Sequence, residues 1–300
     1  MHYFYIVEMR EEREMPEQKL FERIRQLYDS FTKSEKKVAD YVFENPQKVL
    51  YTSITDLAEL CGVGDTTVFR FCKALKTNGY QEFKMLLAQQ VAGNSDEERT
   101  LLMGNIKTED DAKIVCQKAL AMDIAALNET FSILDFDQVV RATDLIASAR
   151  RIHFFGMGSS GVIALEAYHK FMRILPNVAY VSDCHMQFMA AALMESRDLA
   201  IFFSYSGATK DMIEIHNLIK ENGCKSIVIT RFAKSKLAAQ ADVVLQCGSN
   251  EGPLDGGASS TSIVQLYLLD ILYLQYYIHH YNLCNENKAR TSEAVSGKLL

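Results

Sequence analysis

SITDLAELCGVGDTTVFRFCKALKTNGYQEFK, residues 53–84, carries two short helical patterns on either side of a glycine turn, and its reading sets the architecture of the N-terminal half. Ser53 or Thr55 can cap a first helix whose apolar residues are Ile54, Leu57, Ala58 and Leu60. A second helix turns Val68, Phe71, Cys72 and Leu75 toward the same interior, with small Ala58 at the crossing. Gly62 stands where the turn needs positive φ. The spacing is that of a helix-turn-helix. Asp65, Thr66 and Thr67 open the second helix with short side chains that can reach phosphates or base edges, and Arg70, Lys73 and Lys76 lie outward with Lys84 following. A plain helical bundle with a solvated charged face fits the same pattern, Thr66 and Thr67 then being caps and Arg70 and Lys73 solubilising residues.

Around this segment the pattern stays helical from about Pro16 to Ala92. Leu20, Ile24 and Leu27 form one stripe; Val38, Tyr41 and Val42 form another after a cap at Thr32 or Ser34, and Pro46 ends that helix. GNSDEERT, residues 93–100, has no apolar period and marks a boundary. The expected layout is a first domain at 1–92, a linker at 93–109, a second domain at 110–284, and a tail at 285–300 with nothing that demands order. The net charge of −6, from 38 acidic and 32 basic residues, excludes a chain that coats nucleic acid through its overall charge, so DNA binding has to be focal. Between 61 and 90 the bases Arg70, Lys73, Lys76 and Lys84 outnumber Asp65 and Glu82, which supplies such a patch. Seven cysteines without a Cys-x-x-Cys pair argue against disulfides and against a metal site, and point to a reducing cytoplasm. The N-terminus does not read as a signal peptide. The apolar run Ile263–Ile278 contains Asp270 and two glutamines, which fits a buried or partner-packed helix better than a membrane span.

Beyond Phe136 short apolar runs alternate with amphipathic helices. Strands are expected at Arg151–Phe155, Val178–Val181, Leu199–Phe203, Ser226–Ile229 and Val243–Leu245, with helices near 160–174, 186–195, 208–221, 236–240 and 260–280. The fold class is therefore an all-α helix-turn-helix domain joined to a three-layer α/β domain with a five-stranded, mostly parallel sheet. Two strands run into small, hydroxyl-rich turns: RIHFF into GMGSSG, and LAIFF into SYSGAT. Gly156, Gly158 and Gly161 permit close backbone approach, while Ser159, Ser160, Ser204, Ser206 and Thr209 offer donors without net charge, which suits a phosphate at helix N-termini. A dinucleotide site with Asp183 on the ribose, and a purely structural turn, remain open alternatives. Glu251 and His185 form the one acid/base pair in reach, and a satisfied loop carboxylate beside a helix-cap histidine explains them without catalysis.

TKSEKKVADYVFENP at 32–46, LAELCGVGDTTVFRFCKAL at 57–75 and GYQEFK at 79–84 resemble the N-terminal domain of the RpiR-type bacterial transcriptional regulators. GMGSS and SYSGAT resemble the two phosphate-side loops of SIS domains, over about residues 110–280. The resemblance implies a regulator of sugar or amino-sugar catabolism that binds double-stranded operator DNA through Asp65, Thr66, Thr67, Arg70 and Lys73. It further implies a phosphosugar effector held by Ser160, Ser204, Ser206 and Thr209, with Ser159 nearer the sugar, Lys170 reaching the ligand or a partner subunit, and Glu251 at the pocket rim. A homodimer or homotetramer without cofactor, metal or catalytic residues follows from it, and a phosphosugar isomerase is the alternative. Two departures stand out. Gly64 replaces the family's serine, which removes a helix cap that Asp65 can supply one residue later, and Ser262 replaces an arginine, which removes a donor fork from the ligand side.

Overall fold

The structure is a computed structural model that describes residues 20–92, 106–107, 109–248 and 260–297. It divides into two compact units, an N-terminal and a C-terminal one.

The N-terminal unit is helical throughout: α1 (Leu20–Leu27), α2 (Lys33–Glu44), α3 (Pro46–Leu50), α4 (Ile54–Cys61), α5 (Asp65–Ala74) and α6 (Tyr80–Ala92). Thr32, rather than Ser34, starts α2 through a reciprocal capping box. Its hydroxyl accepts from the Glu35 amide, and its own amide donates to the Glu35 carboxylate at 2.9 Å. Pro46 opens α3 instead of merely ending α2, a position where its missing N–H costs nothing. Ile24, Val38, Val42, Leu57, Val68, Leu75 and Leu87 are buried around Phe71, whose ring lies 5.2 Å from Phe31 and 5.6 Å from Phe83. Leu60, expected on this apolar face, is exposed, because a helix of eight residues aims only Leu57, Ala58 and Cys61 inward.

In the second unit α7 (Ala112–Ile133) and α8 (Phe136–Ser148) precede the sheet. There follow β1 (Ile152–Gly156), α9 (Ser159–Phe171), β2 (Val178–Tyr180), α10 (Cys184–Ala192), β3 (Leu199–Phe203), α11 (Lys210–Glu221), β4 (Lys225–Thr230), β5 (Val243–Gln246), α12 (Thr261–His279) and α13 (Tyr281–Ser296). The five strands pair in parallel in the order β2-β1-β3-β4-β5. One face packs Ile152, Phe154, Leu199, Ile201 and Phe203 against residues of α8, α9 and α12, and the other packs Phe155, Ala200, Phe202 and Val228 against α10 and α11. The alternation along β1 and β3 thus feeds two cores, which makes the expected three layers.

Two helices were not legible beforehand. Asp135 accepts from the amides of Asp137 and Gln138 to start α8, which buries Val139, Ala142 and Ile146. The tail expected at 285–300 is corrected by α13. Cys284 is buried, Asn287 donates to the Ile174 carbonyl at 2.9 Å, and Thr291 donates to the Arg173 carbonyl at 3.2 Å. Polar side chains dock that helix onto carbonyls just past α9, so it shows no apolar period. α12 buries Val264, Leu268, Leu269, Leu272 and Tyr276 within its own unit and leaves Leu274 and Ile278 exposed. No described helix is long and apolar enough to cross a membrane.

Candidate functional site

In the N-terminal unit, Gly62 ends α4 with φ +62°; its amide reaches the Ala58 and Glu59 carbonyls and frees the chain to reverse into α5. A Cβ there would meet nothing within 4 Å, so backbone conformation alone requires the glycine. Gly64 begins α5 without a side-chain cap. Asp65 does not replace the missing serine: its Oδ2 accepts from the Thr55 hydroxyl at 3.2 Å, fastening the start of α5 to α4. Thr66, Arg70 and Lys73 stand on the exposed face of α5, and Asp65 is half-buried at its start.

Two expected members of the basic, hydroxyl-bearing face turn inward. Thr67 is buried beside Val68, because its position in the helix falls on the core side. Lys84 is only 7% exposed and lies with its ammonium 5.3 Å from the Tyr80 ring; burial pulls its pKa down to about 8. Sequence reasoning missed Phe69, which stands exposed between Thr66, Arg70 and Lys73. The helical period that placed Arg70 and Lys73 outward could have found it.

In the second unit, β1 and β3 are neighbours, and Gly156 pairs with Phe203 at their last positions. GMGSS and SYSGAT therefore leave the sheet level with each other. The helices that follow go to opposite faces, α9 to one core and α11 to the other. This is the switch point where an open parallel sheet forms a crevice beyond its strand ends. Ser159 and Ser160 occupy the first turn of α9, Ser204 is 4% exposed at the end of β3, and Thr209 precedes α11 without capping it through its side chain. Among the described residues the hydroxyls of Ser159, Ser160 and Ser204 have no hydrogen-bond partner, while Ser206 Oγ accepts from the Ala208 amide at 3.2 Å. The arrangement can offer uncharged donors and two helix N-termini to an anion.

Both loops are braced from behind. Gln187 of α10 donates to the Gly156 carbonyl at 3.1 Å and the Tyr180 hydroxyl donates to the Gly161 carbonyl at 3.1 Å. A Cβ on Gly156 would lie 2.5 Å from the Ser160 carbonyl oxygen, so strand and helix approach each other as only glycine permits. Gly207 has φ +57°, and a Cβ there would collide with the Ser235 side chain. In the second loop the Thr230 hydroxyl donates to the Tyr205 carbonyl at 3.0 Å.

The remaining candidates lie elsewhere. Lys170 forms an ion pair with Asp270 of α12. Eleven residues along α9 from Ser159, it is about 16 Å from the loop at 1.5 Å per residue. That places it away from the two loops of its own chain. Asp183 caps α10 by accepting from the Met186 amide at 2.9 Å, which accounts for it without a ribose. His185 is exposed on α10, and Glu251 lies outside the described residues. Among the described residues no group of His, Cys, Asp and Glu is placed to hold a metal ion.

A helix-turn-helix unit followed by an α/β unit with paired serine-rich loops defines a class of two-domain proteins, and the comparisons with known proteins fall within it. Residues 18–94 match the helix-turn-helix domain of the rpiR family, and residues 145–275 match the SIS domain. The chain is 36% identical over 274 residues to an HTH-type transcriptional regulator of Caldanaerobacter subterraneus subsp. tengcongensis, covering 91% of this chain and 95% of that one. It is 35% identical to the HTH-type transcriptional regulator HexR of Pseudomonas aeruginosa, covering 84% and 87%. The solved structure of the Vibrio vulnificus NanR protein complexed with ManNAc-6P superposes with a TM-score of 0.82 at 26% identity, covering 93% of this chain and 99% of that one. The chain belongs to the rpiR family of helix-turn-helix transcriptional regulators. It is a regulator with a SIS domain, and the isomerase alternative recedes, because the relatives it matches along most of their length are HTH-type transcriptional regulators.

Proposed function

We propose that this chain binds double-stranded operator DNA through the exposed face of α5 and takes a phosphosugar effector in the crevice between the β1 and β3 loops. Thr66, Arg70 and Lys73 meet the duplex, with Asp65 positioning the helix start and Thr67 packing it from below. Ser159, Ser160, Ser204, Ser206 and Thr209 surround the phosphate. The observation that carries the reading is the strand order: β1 and β3 are adjacent and their helices diverge, so two loops more than forty residues apart become one anion crevice. An amino-sugar phosphate is the favoured effector class, since the NanR relative was solved with ManNAc-6P. Binding without turnover is expected, in a cytoplasmic protein that controls sugar or amino-sugar catabolism. Association into a homodimer or homotetramer is supported by the exposed Leu120, Ile124 and Phe131 of α7 and Leu274 and Ile278 of α12.

Calorimetry with a panel of hexose, pentose and amino-sugar phosphates, N-acetylmannosamine 6-phosphate included, tests the crevice. A hydrogen bond to a charged group is worth about 1.5–3 kcal/mol, so Ser204→Ala and Ser206→Ala should each weaken binding about 10- to 150-fold. Operator affinity in the absence of sugar should stay at the wild-type value. Linkage requires the sugar to change DNA affinity by the factor by which DNA changes sugar affinity. Wild-type sugar affinity in both variants would place the phosphate elsewhere.

A further inference from the structure

Phe69 is the large apolar side chain on the presented face of α5. It is 44% exposed and takes no part in the N-terminal hydrophobic core, whereas Val68 and Phe71 on either side are fully buried. Its neighbours on the helix surface are Thr66 one turn before and Lys73 one turn after, and Arg70, next in sequence, is exposed further round the helix. The ring is steadied in place. The Lys73 ammonium lies 5.5 Å from its centroid, and a Cβ built on Gly79 would come within 3.6 Å of its edge, so the ring rests close to bare backbone there. A phenyl ring held outward among cations, rather than folded back onto the core, fits a surface that is apolar at one spot and anionic around it.

We propose that Phe69 is a specificity residue that reads thymine methyl groups on the floor of the major groove. The inference rests on the reading of α5 as the DNA-contacting helix. The floor of the major groove offers one apolar feature among its hydrogen-bonding edges, the C5-methyl of thymine, and phosphates line both rims. Arg70 and Lys73 suit the rims, while a phenyl ring has no donor or acceptor with which to read any other base edge.

The test uses the full chain and duplexes that it selects itself from a random 20-base-pair pool. In the best duplex each thymine is replaced in turn by deoxyuridine, which removes one methyl and leaves the hydrogen-bonding edge intact. Burying one such carbon is worth about a 4-fold change in affinity, so one or two positions should lose about 4-fold each with the wild-type protein. With Phe69→Ala those positions should become indifferent to the methyl, while the salt dependence of binding, set by charged contacts, keeps its slope. If no thymine loses affinity on demethylation, or if the loss is the same in Phe69→Ala, Phe69 does not read methyls. If the wild-type chain selects no duplex at all, the assignment of α5 fails and this inference fails with it; selection with uniform methyl indifference sinks only the inference.

Discussion

Gly156→Ala isolates the close approach on which the proposed anion crevice depends. The glycine has no positive φ, so alanine is permitted by conformation and the whole effect is steric. Its Cβ would sit 2.5 Å from the Ser160 carbonyl oxygen, 2.8 Å from the Ser160 carbonyl carbon and 3.0 Å from the Gly161 nitrogen. All three atoms are backbone in the first turn of α9 and cannot rotate away. Ordinary contact requires that turn to retreat by several tenths of an ångström, and overpacking of this kind costs about 1–3 kcal/mol. In a unit of this size each kcal/mol lowers Tm by about 2–4 °C, which gives a drop of about 2–12 °C in the SIS transition. The retreat also carries Ser159 and Ser160 away from the proposed phosphate position, so, on that proposal, titration with N-acetylmannosamine 6-phosphate should show weaker binding than the stability loss alone produces. Gly158→Ala is the matched comparison. At φ +57° with open space around it, it pays only for an unfavourable backbone, about 1–3 kcal/mol, without pushing α9 away. Calorimetric melts and sugar titrations of both variants decide the matter. If Gly156→Ala melts with the wild type and binds sugar phosphate equally well, β1 and α9 do not approach as described.

Lys84→Met should stabilise the helix-turn-helix unit at pH 7 by about 1–3 kcal/mol, because it removes a buried ammonium with no carboxylate beside it among the described residues. The folded pKa near 8 lies below the ordinary 10.5, so the unfolded chain binds the extra proton between those values; Lys84's penalty fades with rising pH, and the stability gap between variant and wild type should narrow from pH 7 to pH 10. Denaturant melts of both proteins at pH 7 and pH 10 check this, and equal stabilities at both values would refute it. His153 and His216 are pushed down to about 4 by burial, and His216 shares a 2.8 Å hydrogen bond with Ser226. Unfolding lets both bind protons below pH 6.5, so the SIS unit should lose about 1.4 kcal/mol per histidine per pH unit between 6 and 4; a flat pH profile of unfolding there would contradict their burial. Lys170→Ala should leave phosphosugar affinity unchanged and cost at most about 1 kcal/mol of stability, since the lysine serves a partly exposed pair with Asp270. A large loss of sugar affinity in that variant, measured by calorimetry, would restore Lys170 to the site.

Local chemistry made much of this protein legible in advance. Thr32 announces a helix start, Gly62 announces the turn, the Val68–Phe71–Leu75 period announces the buried side of α5, and five short apolar runs announce the strands; each signal resides in a few neighbouring residues whose preferences act before any long-range contact forms. The small hydroxyl residues at 156–160 and 204–209 pointed to an anion for the same reason. What the chain does not write locally is which residues a neighbour will cover. Thr67 and Lys84 read as polar surface, yet the packing of α5 and α6 buries them. α13 is held by Asn287 and Thr291 reaching carbonyls more than a hundred residues earlier, a bond that no periodicity can foretell. Strand order is the largest of these decisions. The sequence presents two glycine- and serine-rich turns in separate strand–helix units, and it is the placement of β3 beside β1, with α9 and α11 driven to opposite faces by the two cores, that joins them into one crevice. Adjacency in a sheet is set by burying whole apolar faces at once, so it belongs to the tertiary structure rather than to any stretch of sequence.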